Sequence, residues 1–290
     1  MQPSSTLLPV TRVFICATLI TLLGAGSLEA QGRKKNPTSK LYVADVSGIS
    51  QIDTGETIDD MTKKSVYTAQ GTVIETKEEA TNAMVWSNGT GIYFDPSTRL
   101  EVKKFVQEPF TPNRNDMEIE PSISTTETFL SRGSVSLCTS KPVAGSSMNY
   151  NTPHATVRIK GRKSVIDVTS EGTKVSLLEG AITVQAGSRD AGGQTLNQGQ
   201  QALISPAGVI RIQNIPASEI RSLDEKVSMA CLARKTVYFD VKEQKAGVAD
   251  DRITAFDAEA DTNEIVAVEV TPPAVAPEVT VSAASIPRSN

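Results

Sequence analysis

The sequence predicts an all-β protein of stacked short strands, in the manner of a β-solenoid or β-sandwich, with one capping helix near the C-terminus. Three observations predict it. Between residues 152 and 204, apolar and polar side chains alternate with a period of two, which a strand with one buried face requires. Val157 and Ile159 alternate with Thr156, Arg158 and Lys160; Ile166 and Val168 alternate with Asp167 and Thr169; Val175, Leu177, Ile182 and Val184 follow. Glycines also lead short apolar runs: Gly71 before Val73, Gly91 before Ile92 and Phe94, Gly133 before Val135 and Leu137, then Gly172, Gly180 and Gly208. Strands this short cannot bury a face alone, so neighbours must complete the core. Only after residue 212 does the period change. Pro216 and Ser218 can start a helix, and Ile220, Leu223, Val227 and Cys231 or Leu232 fall on one face of it over about 217–234. That helix should cover an open end or edge of the stack.

The first 30 residues read as an export signal. Arg12 precedes an apolar run over 13–23, and 24–30 is rich in small residues, with cleavage expected after Ala30. The run is shorter than the ~20 residues a span needs. Ile15 before Cys16 does not suit lipid attachment, so no membrane anchor is expected after cleavage. Residues 31–64, with Arg33, Lys34 and Lys35 ahead of Pro37, are expected to be a flexible leader. A β domain is expected over 65–214, followed by the helical segment 215–236. In 241–290 acidic residues outnumber basic ones nine to four and prolines recur, so a mobile tail is expected, with Ile265 to Val270 as one strand candidate.

With 290 residues and 39% apolar content the chain can bury a sizeable core, built from aliphatic residues because aromatics are only 4%. A net charge of -4, small and mixed in sign, argues against a nucleic-acid surface. Asn88-Gly89 between Trp86 and Tyr93-Phe94 predicts a hairpin turn. These three aromatics are expected to pack together; the alternative is an exposed contact surface of Trp86, Tyr93 and Phe94. Signal removal leaves Cys138 and Cys231, which can pair in an oxidising compartment and close a loop of about ninety residues. Two separate buried thiols fit the sequence equally.

Thr152-Pro153-His154-Ala155, Ile159-Lys160-Gly161, the 175–184 run with Leu178-Glu179-Gly180 at its turn, and 196–202 with Gly199-Gln200-Gln201 together resemble the FecR domain, a bacterial extracytoplasmic β module. Arg162 and Ser164 stand where members usually carry a threonine and an aromatic. The resemblance implies the domain and its periplasmic or secreted location. Signalling members hold a sigma factor through a cytoplasmic segment joined by a transmembrane helix; here an export signal occupies that place, so direct sigma-factor binding is not implied.

Catalytic chemistry finds little to rest on. His154 is the only histidine, no Gly-x-Ser-x-Gly occurs, and Gly161-Arg162-Lys163-Ser164 lacks the first glycine of a phosphate loop, Thr156 standing there. No catalytic, metal or cofactor residues are expected. Asp167 and Glu179 are the nearest pair of carboxylates for glycoside cleavage. The leading expectation is a non-catalytic binding or structural protein of the cell envelope, its partner another envelope protein or a surface polysaccharide. The alternative is a periplasmic sensor that modulates a separate membrane regulator of sigma-factor signalling; the third reading is a carbohydrate-active β-solenoid enzyme.

Overall fold

The computed structural model describes residues 39–110, 118–187, 192–242 and 252–257. The stretch expected to be an export signal, most of the acidic tail and the strand candidate at Ile265 to Val270 lie outside the described residues. Nineteen strands and one helix make up the rest. In chain order they are β1 (Lys40–Ser47), β2 (Ser50–Asp53), β3 (Ile58–Asp60), β4 (Val66–Thr68), β5 (Val73–Thr76), β6 (Thr81–Trp86), β7 (Thr90–Phe94), β8 (Arg99–Gln107) and β9 (Ser124–Cys138). The second half holds β10 (Ser147–Asn151), β11 (Thr156–Ile159), β12 (Lys163–Thr169), β13 (Gly172–Glu179), β14 (Ile182–Gln185), β15 (Gln194–Leu196), β16 (Gln200–Ile204) and β17 (Ile210–Asn214). Helix α1 (Ala217–Thr236) and the hairpin of β18 (Val237–Lys242) with β19 (Arg252–Asp257) follow.

The first seventeen strands form two open layers that share β9. One layer runs β4, β1, β6, β7, β9, β12, β13, β16, β17. The other runs β3, β2, β5, β8, β9, β10, β11, β14, β15. Neighbours are antiparallel except β9 and β10, which are parallel. Between Ser124 and Arg132, β9 pairs with β8 and β10; from Gly133 to Cys138 it pairs with β7 and β12. Gly133 marks the corner, with φ +84° and Thr98 packed against it. The Thr98 hydroxyl bonds both backbone groups of Ser134, donating to its carbonyl at 3.2 Å and accepting from its N–H at 2.9 Å.

Alternation explains which residues meet between the layers. Leu41, Met84, Trp86, Ile92, Phe94, Leu137, Ile166, Val175 and Leu177 of one layer pack with Ile52, Ile74, Leu100, Phe105, Tyr150, Val157 and Val184 of the other, all buried. Trp86 and Phe105 stack with ring centroids 5.2 Å apart. Burial of this apolar set is the main driving force for the sandwich, at roughly 25 cal/mol per Å² of apolar surface.

Four expectations need correcting. Residues 40–60 are not a flexible leader: β1 sits inside its layer between β4 and β6. Leu41, Tyr42 and Val43 are buried in succession because β1 is covered on both faces, which erases the period of two. Residues 237–242 and 252–257, assigned in part to a mobile tail, form a paired hairpin, and Val237 and Phe239 join an apolar cluster with Tyr42, Val85 and Ala233. The polar, glycine-rich stretch 190–201 reads in sequence as a turn before a strand at Ala202 to Ile204, yet Gln194–Leu196 within it is a strand against β14. The helix covers a face and not an edge. It lies against β6, β7, β9 and β12, burying Leu223, Val227, Ala230 and Ala233, while Ile220 and Leu232 remain exposed. Approach is closest at Gly91, where a Cβ would come within 2.1 Å of the Ala230 carbonyl oxygen. A disulfide joins Cys138, at the end of β9, to Cys231 in α1, with Cα atoms 5.1 Å apart.

The Trp86 hairpin departs from expectation in two ways. Its loop has three residues, Ser87 to Gly89, since Trp86 pairs with Thr90 and the Gly89 N–H donates to the Trp86 carbonyl at 2.9 Å. Trp86, Tyr93 and Phe94 form no contact surface: Trp86 and Phe94 point into the core at 0% exposure, and Tyr93 packs half-buried beneath the helix layer. Adjacent residues on a strand face opposite sides, so the three cannot share one surface.

Candidate functional site

The strongest candidate is a pocket of about 280 Å³ at one end of the sandwich. The corner at Gly133 brings both ends of β9 back to this end, so Ser124 and Thr139, on either side of it in sequence, line one cavity. The turn before β7 adds Asn88 and Thr90, the 139–147 connection adds Ser140 and Pro142, and the end of β11 adds Arg158, Ile159 and Lys160.

Its floor is polar and buried. Asn88, Thr90, Ser124, Thr139 and Ser140 are each at most 5% exposed. Glu120 organises them, accepting from the Ser124 hydroxyl and, at 3.2 Å, from the Val143 N–H. Burial pushes the Glu120 carboxyl above its ordinary range, while bonds from Ser124, Ser146 and Val143 oppose the shift. The Asn88 amide donates to Ser124 at 3.3 Å and its oxygen accepts from the Thr90 N–H at 3.2 Å. The Thr90 hydroxyl has no hydrogen-bond partner among the described residues. At the mouth, exposed Arg158 and Lys160 have no acidic partner among the described residues. Arg162, close by in sequence, is instead held by Glu118 and by Glu179 at 3.7 Å. The arrangement can accept a small hydroxylated ligand and attract a negative charge at its entrance.

A second cleft, about 310 Å³, opens on the face that carries the helix, with Asp167, Lys174, Leu203 and Arg211 on its walls. Of its charged walls, Lys174 is taken up by Glu219 of the helix at 3.2 Å. Asp167 and Glu179 do not come together. Lys163 pairs with Glu179 and Asp167 with Lys174, so four strand residues separate them, about 13 Å at ~3.3 Å per residue. Carboxylates that cleave glycosides sit roughly 5 to 9.5 Å apart. His154 bonds Thr173 through Nδ1 at 3.0 Å.

Burial, more than the nearby Lys174 and Lys226, sets Asp167, and holds its carboxyl above the ordinary 3.8. A raised carboxyl makes the folded chain the better proton binder, so its stabilising contribution is complete below 3.8 and is lost as pH rises through the raised value. Asp167→Asn is therefore expected to melt progressively above the parent as pH is raised from about 4 to about 7. Thermal melts followed by the fluorescence of the single tryptophan check this; a constant difference across that range would contradict it.

None of the polar lining was singled out from sequence. Glu120, Asn88, Ser124 and Thr139 come from separate stretches, and only the β9 corner brings them together. Asn88-Gly89 was legible as a turn, which gave a position without a role.

No family model matches the chain, and no curated protein matches it. Two solved structures share part of its outline, each described as "a putative anti-sigma factor" from Parabacteroides distasonis ATCC 8503. One is 16% identical with a TM-score of 0.38, covering 52% of this chain and 62% of its own. The other is 15% identical with a TM-score of 0.38, covering 66% of this chain and 88% of its own. This chain thus spans 62% of the length of the first. Likenesses at this level carry no functional argument. Among the described residues, no helix is long and apolar enough to cross a membrane, and no group of three or more His, Cys, Asp or Glu side chains could hold a metal.

Proposed function

We propose that the chain is a FecR-like binding protein of the bacterial cell envelope, periplasmic or secreted, that acts without catalysis. The observation that carries the reading is the Cys138–Cys231 disulfide. Such a bond persists in an oxidising compartment and is reduced in a bacterial cytosol. The residues behind the family resemblance support it by their positions. Thr152 to Ala155 make the turn before β11, where the Thr152 hydroxyl accepts from the Ala155 N–H at 3.0 Å. Ile159 to Gly161 close β11, Leu178 to Gly180 end β13, and Gly199 to Gln201 open β16. The end pocket, with its buried polar floor and unpaired cations, supplies a binding site.

Expression of the full chain in a bacterial host, followed by fractionation and non-reducing peptide mass spectrometry, tests this. The expected result is an extracytoplasmic protein yielding a linked Cys138–Cys231 peptide. A cytoplasmic protein with two free thiols would overturn the reading.

A further inference from the structure

We propose that the end pocket binds a uronic acid residue, a pyranose ring carrying a carboxylate, such as those of acidic polysaccharides. The proposal rests on the non-catalytic envelope function above and names the ligand class for the same site. Size is the first argument. About 280 Å³ equals roughly nine water volumes of ~30 Å³, enough for one sugar ring. Distribution of chemistry is the second. Pro142, Met148 and Ile159 offer an apolar strip to the C–H face of a ring, and the floor offers hydroxyl and amide groups to its edge. The Thr90 hydroxyl, which makes no hydrogen bond among the described residues, is the group there with hydrogen-bonding capacity unused.

Charge then sets the orientation. A ligand carboxylate would be repelled by Glu120 at the floor and drawn to Arg158 and Lys160 at the mouth, so the acid group faces out and the ring hydroxyls face in. An inorganic phosphate would use the mouth and leave the floor unmatched; a neutral sugar would do the reverse.

Calorimetric titration of the full chain with glucuronate, glucose and inorganic phosphate tests the proposal. For a ligand of this size, saturable glucuronate binding with Kd on the order of 1 mM is expected. Glucose and phosphate are each expected to bind at least about tenfold more weakly. The Arg158→Ala, Lys160→Ala double variant changes only exposed side chains and should weaken glucuronate about tenfold while leaving glucose unchanged; Thr90→Val should weaken both sugars. Absence of saturable glucuronate binding, or binding of glucose or phosphate equal to it, would overturn the proposal without any variant. An exported, disulfide-linked chain that fails to bind glucuronate defeats this ligand assignment alone, whereas a thiol-bearing cytoplasmic chain defeats the functional reading beneath it.

Discussion

Replacing Gly133 with valine is expected to leave little folded protein, because the corner of β9 has no room for a side chain. A Cβ there would lie 2.4 Å from the Thr98 Cα and 2.3 Å from its hydroxyl oxygen. Backbone cannot swing aside as a flexible side chain can, so the 96–98 turn would have to move and release the two bonds from Thr98 to Ser134. A β-branched residue at φ +84° adds conformational strain. Strain, overpacking and lost hydrogen bonds together should cost about 4 kcal/mol or more, a large share of a typical domain's stability. Gly71 is the control. It has φ +80° with nothing within 4 Å of an added Cβ, so Gly71→Ala should cost only about 1 kcal/mol of strain. Urea unfolding monitored by Trp86 fluorescence separates the two; equal midpoints would refute the close packing at the corner.

Removing the disulfide by Cys138→Ser and Cys231→Ser is expected to be the next largest loss. The bond spans 93 residues, and in the chain-entropy account a closed loop of that length is worth about 4 to 5 kcal/mol. Apolar contacts of Leu223 and Val227 with Val165 and Ile215 remain in the variant, so the helix should stay docked at low temperature. The expected signature is a lower unfolding midpoint with native far-ultraviolet dichroism retained. Reductant should move the parent to the midpoint of the variant and leave the variant where it is; a parent indifferent to reductant would show that the link contributes nothing.

Legibility in the sequence followed burial. Strands β11 and β14 have one covered face, and Val157, Ile159, Ile182 and Val184 alternate accordingly. β6 and β1 lie where both faces are covered, so Met84-Val85-Trp86 and Leu41-Tyr42-Val43 carry no period to read. The helical face was largely legible, through Leu223 and Val227, but its docking place was not, since nothing local says which sheet surface a helix will meet. Closeness at Gly91 is a tertiary fact, visible only when Ala230 sits above it. The pocket is harder still. Glu120 lies in an irregular stretch and gains meaning from Val143, which is distant in sequence.

Among the described strands, none that precedes β9 pairs with any that follows it before the helix; every ladder between the two halves passes through this one segment. Such a seam would invite the halves to swing like covers about a spine. Helix α1 crosses it, resting on β6 and β7 on one side and β12 on the other, and the sulfur bridge bolts it to the spine itself. The covalent link therefore ties the element that spans both halves to the one segment they share.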